Sequence, residues 1–266
     1  MMIEDDPTQP GEESSSGEKS KSAGSSNLVR LLKPIVVNPE RGHHIDETVV
    51  AARYYNCFNY SLISREKTGV NLTVGITSPN QGDGKTLVAS NLAVSLAVAN
   101  QRETILVDFN VRSPQLHSIF GTKLSPGLSE AISDQTIPVW QTQIKHLYVL
   151  SAGNLGGSPI LAGRAAASER SSQAGASRPS IGLDQVAEFR DVIYSLKQEF
   201  DFVIVDMPVL QEPRIPMLLT HQMDGLLIVV DAQRTKQEDL DKLFLRINES
   251  QILGFVLNRA SDAFYS

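Results

Sequence analysis

Leu72-Thr73-Val74-Gly75-Ile76-Thr77-Ser78-Pro79-Asn80-Gln81-Gly82-Asp83-Gly84-Lys85-Thr86 decides how the rest of the chain reads. A β-branched apolar run enters a glycine-containing loop, and the helical stretch Lys85 to Asn100 follows at once. Strand, loop and helix in that order make a phosphate cradle: glycines let successive N–H groups turn inward, and the positive end of the helix dipole faces the anion. Lys85 would place a full positive charge on the β- and γ-phosphates, and the Thr86 hydroxyl is set to hold Mg²⁺. The reading is therefore a site for ATP and Mg²⁺ over Asn80 to Thr86, with Gly82, Asp83, Gly84, Lys85, Thr86 and Leu87 lining it. The plainer alternative is a glycine turn carrying an exposed lysine. The strict G-x-x-x-x-G-K-[ST] form is not met, because Pro79 stands at the first glycine.

Outward from the loop the chain alternates. Apolar runs at Leu72 to Thr77, Thr104 to Asp108, Leu147 to Leu150, Phe202 to Asp206, Leu226 to Asp231 and Leu253 to Asn258 read as strands. Helices are expected over Lys85 to Asn100, Leu183 to Glu199 and Lys236 to Glu249, with shorter ones near Gln115 and Leu128. Strands apolar on both faces, interleaved with helices, define an α/β fold: a mainly parallel sheet flanked by helices on both faces. Ligands in such folds sit beyond the carboxyl ends of the strands. Residues 46–262 form the expected domain, with a flexible, polar insertion over 156–182 and a C-terminal tail at 263–266. Asp46 to Ser64 reads as a docked helix, with Val50, Tyr54, Cys57, Phe58 and Ser61 at helical spacing and Asp46 as N-cap. Residues 1–27, nearly devoid of large apolar side chains, read as a disordered tail; 28–45 read as an extended linker whose Leu28 to Val37 patch is a strand or clamp on the surface.

Composition narrows the function. A net charge of −6 over 266 residues argues against a phosphate-tracking nucleic-acid surface. The single Cys57 cannot make an internal disulfide, and no apolar run approaches the roughly 18 residues of a membrane span. The acidic start lacks the features of a secretory signal, so a cytoplasmic location without direct membrane insertion is expected.

Two more carboxylates end strands: Asp108, opening Asp108-Phe109-Asn110-Val111-Arg112, and Asp206, before Met207-Pro208. Phosphoryl transfer needs one group to orient Mg²⁺ and another to position or deprotonate the nucleophile; Asp206 suits the first role and Asp108 the second. Taken singly, a strand-end Asp is more often a turn former or helix N-cap; beside the phosphate loop the balance reverses toward the site.

The loop Ser78 to Thr86, the Asp108-x-Asn110-x-Arg112 segment, the Val203-Ile204-Val205-Asp206 strand and the terminal Val256-Leu257-Asn258-Arg259 together resemble the bacterial tyrosine kinases of exopolysaccharide and capsule synthesis, within the MinD/ParA-like P-loop ATPases. The resemblance spans about Asp46 to Arg259. It implies an ATP-dependent autokinase on tyrosine that works with a membrane-anchored polysaccharide chain-length regulator, and that regulator would recruit it to the inner face of the membrane. Phosphorylation state would control polymerisation and export. By position, Lys85 and Thr86 match the Walker A residues, Asp108 the first Asp of the A' motif and Asp206 the Walker B Asp, the metal being held by Thr86, Asp108 and Asp206. Asn110, Arg112, Asn258 and Arg259 line the nucleotide, with the Asn258 amide able to pair with the adenine edge in both directions.

The sequence departs from that pattern at three places. The usual second Asp of the A' motif is Asn110, which weakens or alters the kinase chemistry. The oligomerisation helix pattern E-x-x-R-x-x-R is met by Glu47 and Arg53 but has Val50 between them, so a homo-oligomer through that helix loses one cation. A terminal tyrosine cluster is reduced to Tyr265, which is either the phosphoacceptor or an exposed terminal aromatic. Two alternatives therefore stand beside the autokinase: a catalytically weakened ATP-binding regulatory subunit, and a MinD/ParA-like positioning ATPase. The latter proteins carry a second lysine where this chain has Asn80.

Overall fold

The computed structural model describes residues 71–110, 113–154, 183–210 and 217–260, together with Leu62 and two short strands at 30–31 and 35–36. The N-terminal tail, most of the linker and the early helix, Arg112, the 156–182 insertion and Tyr265 lie outside the described residues. Leu62 is helical and buried.

In chain order the strands are β1 (Arg30–Leu31), β2 (Ile35–Val36), β3 (Leu72–Thr77), β4 (Thr104–Asp108), β5 (Thr136–Ile137), β6 (Trp140–Gln141), β7 (Leu147–Leu150), β8 (Phe202–Asp206), β9 (Gly225–Asp231) and β10 (Ile252–Asn258). The helices are α1 (Lys85–Asn100), α2 (Leu116–Ile119), α3 (Leu128–Asp134), α4 (Leu183–Glu199) and α5 (Gln237–Phe244). Eight strands form one sheet in the order β10-β9-β3-β8-β4-β7-β6-β2, parallel except for the β6–β7 pair. The Leu28 to Val37 patch enters it as strand: β2 pairs with β6, and β1 pairs with β5 in a separate two-stranded ladder.

The strands are apolar on both sides because each alternates its side chains between two covered faces. On one face Val203, Val205 and Ile228 pack with Phe189, Val192 and Leu196 of α4 and Ile132 of α3. On the other, Ile204, Leu106 and Val229 pack with Val88, Leu92 and Leu96 of α1. Helix α1 is Ala- and Leu-rich, sits under the loop with its middle buried, and ends where Gln101 turns left-handed (φ 52°) and its N–H bonds the Leu96 carbonyl.

One helix is shorter than its sequence suggests. Lys236 to Glu249 forms helix only over Gln237–Phe244: past Leu245 the chain tightens into an i−3 bond, Arg246 N–H on the Leu243 carbonyl (2.8 Å), and a separate 3₁₀ turn at Glu249–Gln251 follows, capped by the Asn248 side chain accepting from Ser250 N. β9 and β10 each begin one residue earlier than the apolar runs indicate. Among the described residues no helix is long and apolar enough to cross a membrane.

Candidate phosphate and metal site

The carboxyl ends of five neighbouring strands meet at one edge of the sheet. In spatial order β10 ends in Asn258, β9 in Asp231, β3 in Thr77, β8 in Asp206 and β4 in Asp108. The loop after β3 rises from the middle of this row. Thr77 Oγ1 donates to the Pro208 carbonyl (3.0 Å) and Ser78 Oγ to the Asn80 carbonyl (2.7 Å), fixing where the loop leaves the sheet. Gly82 (φ +86°) and Gly84 (φ +101°) hold left-handed backbone that other residues adopt only at a cost. Gly84 leads into α1, and Val88 N closes the first helical bond on its carbonyl.

Lys85 is buried, only 6 % exposed, and its charge pulls the Asp206 and Asp83 carboxyls down against the rise that burial imposes on them. Thr86 Oγ1 donates to Asp206 Oδ2 at 2.7 Å. The other oxygen of Asp206 is buried without a hydrogen-bond partner. Asp108 lies in direct register with Asp206 on the neighbouring strand, and both are fully enclosed. Asp108 is caged by main chain: Oδ1 accepts from Asn110 N (3.2 Å), and Oδ2 from Gln115 N and Leu116 N (3.1 Å each). Burial raises Asp108 to about 7, helped by the Asp206 charge; burial raises Asp206 to about 6. Two carboxyls that resist ionisation, an orphaned oxygen and an adjoining hydroxyl form a donor set that fits a hard divalent cation.

The loop's outer side is braced by Asn80, Asp83, Asn258 and Arg259, which the sequence reading places at the site, and by Asp231, Arg234, Thr235 and Asp239, which it does not single out. Asp83 is enclosed; its Oδ2 accepts from Asn80 N (2.9 Å) and more weakly from Thr235 Oγ1 (3.4 Å). Asn80 Nδ2 donates to Asp239 Oδ2 of α5 (3.1 Å), which holds that carboxyl below its ordinary range. Asn258 Nδ2 donates to the Asp83 carbonyl (2.8 Å), and its Oδ1 accepts from Arg259 N (3.0 Å). One donor hydrogen and one lone pair of the amide are thus committed to protein, leaving one of each for a base edge. Arg234 donates through Nη2 to the Gly82 carbonyl (3.0 Å) and through Nε to Asp231 Oδ2 (2.9 Å), an oxygen that Arg259 Nη1 also reaches. Asp231 is held below its ordinary range, first by the Gln233 N–H and then by the two guanidiniums.

The structure brings Lys85, Thr86, Asp108 and Asp206 together and puts Asn258 against Asp83 and Gly84. Leu87 projects outward at 57 % exposure, and Asn110 meets Asp108 through its main chain. Asp231 carried one readable signal, a carboxylate at the last position of a strand; Arg234 and Asp239 carried none.

A parallel sheet that delivers a G-x-G-K-T turn and two register-matched aspartates to one edge defines a P-loop NTPase fold of the MinD/ParA-like kind. No family model matches the chain. It is similar to bacterial tyrosine-protein kinases: the tyrosine-protein kinase CpsD of Streptococcus pneumoniae serotype 4 is 27% identical over 217 residues, 79% of this chain and 84% of that protein. Among solved structures, the kinase domain of VpsO aligns with a TM-score of 0.61 at 21% identity, over 81% of this chain and 96% of that one. The cell division ATPase MinD of Pyrococcus furiosus aligns with a TM-score of 0.51 at 22% identity, over 72% and 73%.

Proposed function

We propose that this chain binds ATP with Mg²⁺ at the loop Asn80 to Thr86 and acts as a tyrosine autokinase-like regulator of exopolysaccharide or capsule polymerisation and export. The observation that carries the reading is the Thr86 hydroxyl against Asp206, with the second Asp206 oxygen buried, unpartnered and in register beside Asp108. Thr86, Asp206 and Asp108 are the residues that would hold the metal, directly or through water. When bound, Mg²⁺ neutralises charge on the phosphates. Lys85 and the N–H groups from Gly82 to Leu87 orient the triphosphate of the substrate ATP, and Asn258 with Arg259 flank the base. Asp108, raised by burial to about 7, in its ionised form accepts the phenolic proton as the γ-phosphoryl group passes to the tyrosine oxygen and ADP departs. Tyr265 is the acceptor within the chain, and Arg112 completes the phosphate contacts. The partner is a membrane-anchored chain-length regulator whose cytoplasmic tail activates the kinase and recruits it to the inner face of the cytoplasmic membrane.

Incubation of the full chain with radiolabelled ATP, Mg²⁺ and an activating cytoplasmic peptide should place phosphate on tyrosine, lost in Lys85→Ala and in Tyr265→Phe. Absence of any label on tyrosine, with ATP still bound, sinks the kinase reading.

A second reading, an ATP-binding regulatory subunit with weakened catalysis, is favoured by Asn110, which offers Asp108 a backbone N–H and no second carboxylate. It is distinguished by nucleotide-dependent association with the partner that survives Tyr265→Phe. The positioning-ATPase reading is disfavoured because the Asn80 amide is tied back to Asp239 and supplies no charge to a facing nucleotide.

A further inference from the structure

We propose that Arg234 is a positioning residue of the phosphate loop, anchored by Asp231 and acting through the Gly82 carbonyl. The inference rests on the reading of that loop as a triphosphate site, and it adds a residue that lies 152 positions away in the chain.

In a trans peptide the C=O of one residue and the N–H of the next point in opposite directions. Arg234 Nη2 holds the Gly82 carbonyl at 3.0 Å, so the Asp83 N–H is turned to the opposite side. Asn258 Nδ2 holds the Asp83 carbonyl at 2.8 Å, so the Gly84 N–H is turned away in the same manner. Two successive carbonyls tied on the outside present two successive N–H groups elsewhere, which is the geometry of an anion-binding nest. A cation on the carbonyl also polarises that peptide and strengthens its N–H as a donor.

The fork shape of the side chain matters. Nε lies on Asp231 and Nη2 on Gly82, so one planar group spans an enclosed carboxylate and the loop. A lysine has one nitrogen at the end of a flexible stem and cannot fix both at once. Gly82 complements this approach: a Cβ there would stand 3.2 Å from Arg234 Nη2. Arg259 shares the Asp231 oxygen, so the charge of Asp231 is balanced from two sides while only Arg234 has a bond to the loop.

The competing account is that Arg234 merely fastens the β9–α5 turn, in which case its loss would lower stability without a selective effect on nucleotide. Arg234 is more than half exposed, so removing it leaves no cavity, and the enclosed Asp231 carboxylate keeps Arg259 and the Gln233 N–H as partners. The experiment uses the full chain and its Arg234→Ala and Arg234→Lys forms, measuring MgATP affinity by calorimetry, thermal unfolding without nucleotide, and the amide resonance of Asp83. Arg234→Ala should weaken MgATP about tenfold, the scale of one charge-assisted hydrogen bond at a solvated position. Its nucleotide-free unfolding should shift little, and Arg234→Lys should keep most of the loss. In a background of Asp231→Asn, the further effect of Arg234→Ala should shrink. The Asp83 amide resonance should move in the nucleotide-free Arg234→Ala form. Affinity within twofold of the parent in Arg234→Ala, full rescue by lysine, or a loss matched by an equal drop in stability would overturn the proposal. Should the parent bind no nucleotide, the ATP reading fails by itself. The Asp83 resonance then still decides on Arg234: no movement sinks its role in shaping the loop.

Discussion

Asp206→Asn should make the nucleotide-free protein more stable at alkaline pH and less stable at acidic pH. Burial lifts the Asp206 carboxyl from 3.8 to about 6, the Thr86 hydrogen bond and the Lys85 charge only partly opposing it. At about 1.4 kcal/mol per unit of pKa, the ionised carboxylate costs the fold roughly 3 kcal/mol above that pH. The sign follows from proton counting: between about 4 and about 6 the folded state binds the proton that the unfolded state has released. Stability is therefore full below 4 and lost as pH rises through 6. An asparagine keeps an oxygen for the Thr86 hydroxyl but puts an N–H₂ where the other, unpartnered oxygen now lies, a mismatch of about 1–2 kcal/mol. The balance at pH 8 is a gain of about 1–2 kcal/mol, or roughly 5 °C in melting temperature for a domain of this size. Below about pH 4 the electrostatic gain is gone and only the mismatch remains, so the two stability-against-pH curves cross between about 4 and about 6. Thermal unfolding at a series of pH values, without nucleotide or divalent cation, measures this directly. A variant less stable by the same amount at pH 5 and pH 8 would show that desolvation of this carboxylate is not what the fold is carrying.

Other perturbations give equally definite results. Gly84→Ala sets a Cβ 2.2 Å from Asn258 Nδ2 on a backbone at φ +101°, so nucleotide affinity should fall by at least a hundredfold, at about 3 kcal/mol of combined strain and lost contact, read by calorimetry. Lys85→Ala should abolish MgATP binding while leaving circular dichroism unchanged, since its charge serves the site and the buried helix stays apolar. Gly225→Ala, whose Cβ would meet three carbons of Leu253 within 2.6 Å, should destabilise the β9–β10 edge by about 2 kcal/mol, seen as a lowered urea midpoint with unchanged slope.

Much of this architecture is local and so readable from the chain. The phosphate loop lies within nine consecutive residues, and its strand and helix obey simple periodicities; their bounds at Leu72–Thr77 and Lys85–Asn100 match the sequence reading. Asp108 and Asp206 announce themselves as carboxylates closing apolar runs. β5 and β6, at two residues each, are too short to leave a period, and their pairing with residues before 37 depends on contacts that no window of sequence contains. The end of α5 is not legible because the apolar spacing continues to Ile247, whereas the helix gives way after Leu245 to an i−3 bond from Arg246 N–H to the Leu243 carbonyl. The brace from Arg234 and Asp239 is invisible for a different reason: one guanidinium in the β9–α5 turn and one carboxylate on a charged helix look like any solvated face until the fold sets them against Gly82 and Asn80.

The row of strand ends explains why chemically identical residues do different work. Asp231, Asp206 and Asp108 each close a strand at the same edge, and each is enclosed. Asp231 meets the Gln233 N–H and two guanidiniums, so its charge is settled and it serves as an anchor. Burial lifts both Asp206 and Asp108 toward neutrality; the Thr86 hydroxyl and the Lys85 charge oppose it at Asp206, and at Asp108, which the Asp206 charge raises further, backbone N–H groups of Leu116, Gln115 and Asn110 are the opposing groups among the described residues. Among the described residues one lysine stands by the two carboxylates, and a triphosphate would add more negative charge, so the edge on the β8 and β4 side favours a proton or an added cation. On the β9 and β10 side the counter-charges are already built in. The loop stands between an electrostatically finished half that sets its shape and an unfinished half that is completed on binding. Proton uptake and divalent-cation binding should therefore compete at Asp206 and Asp108 and leave Asp231 untouched.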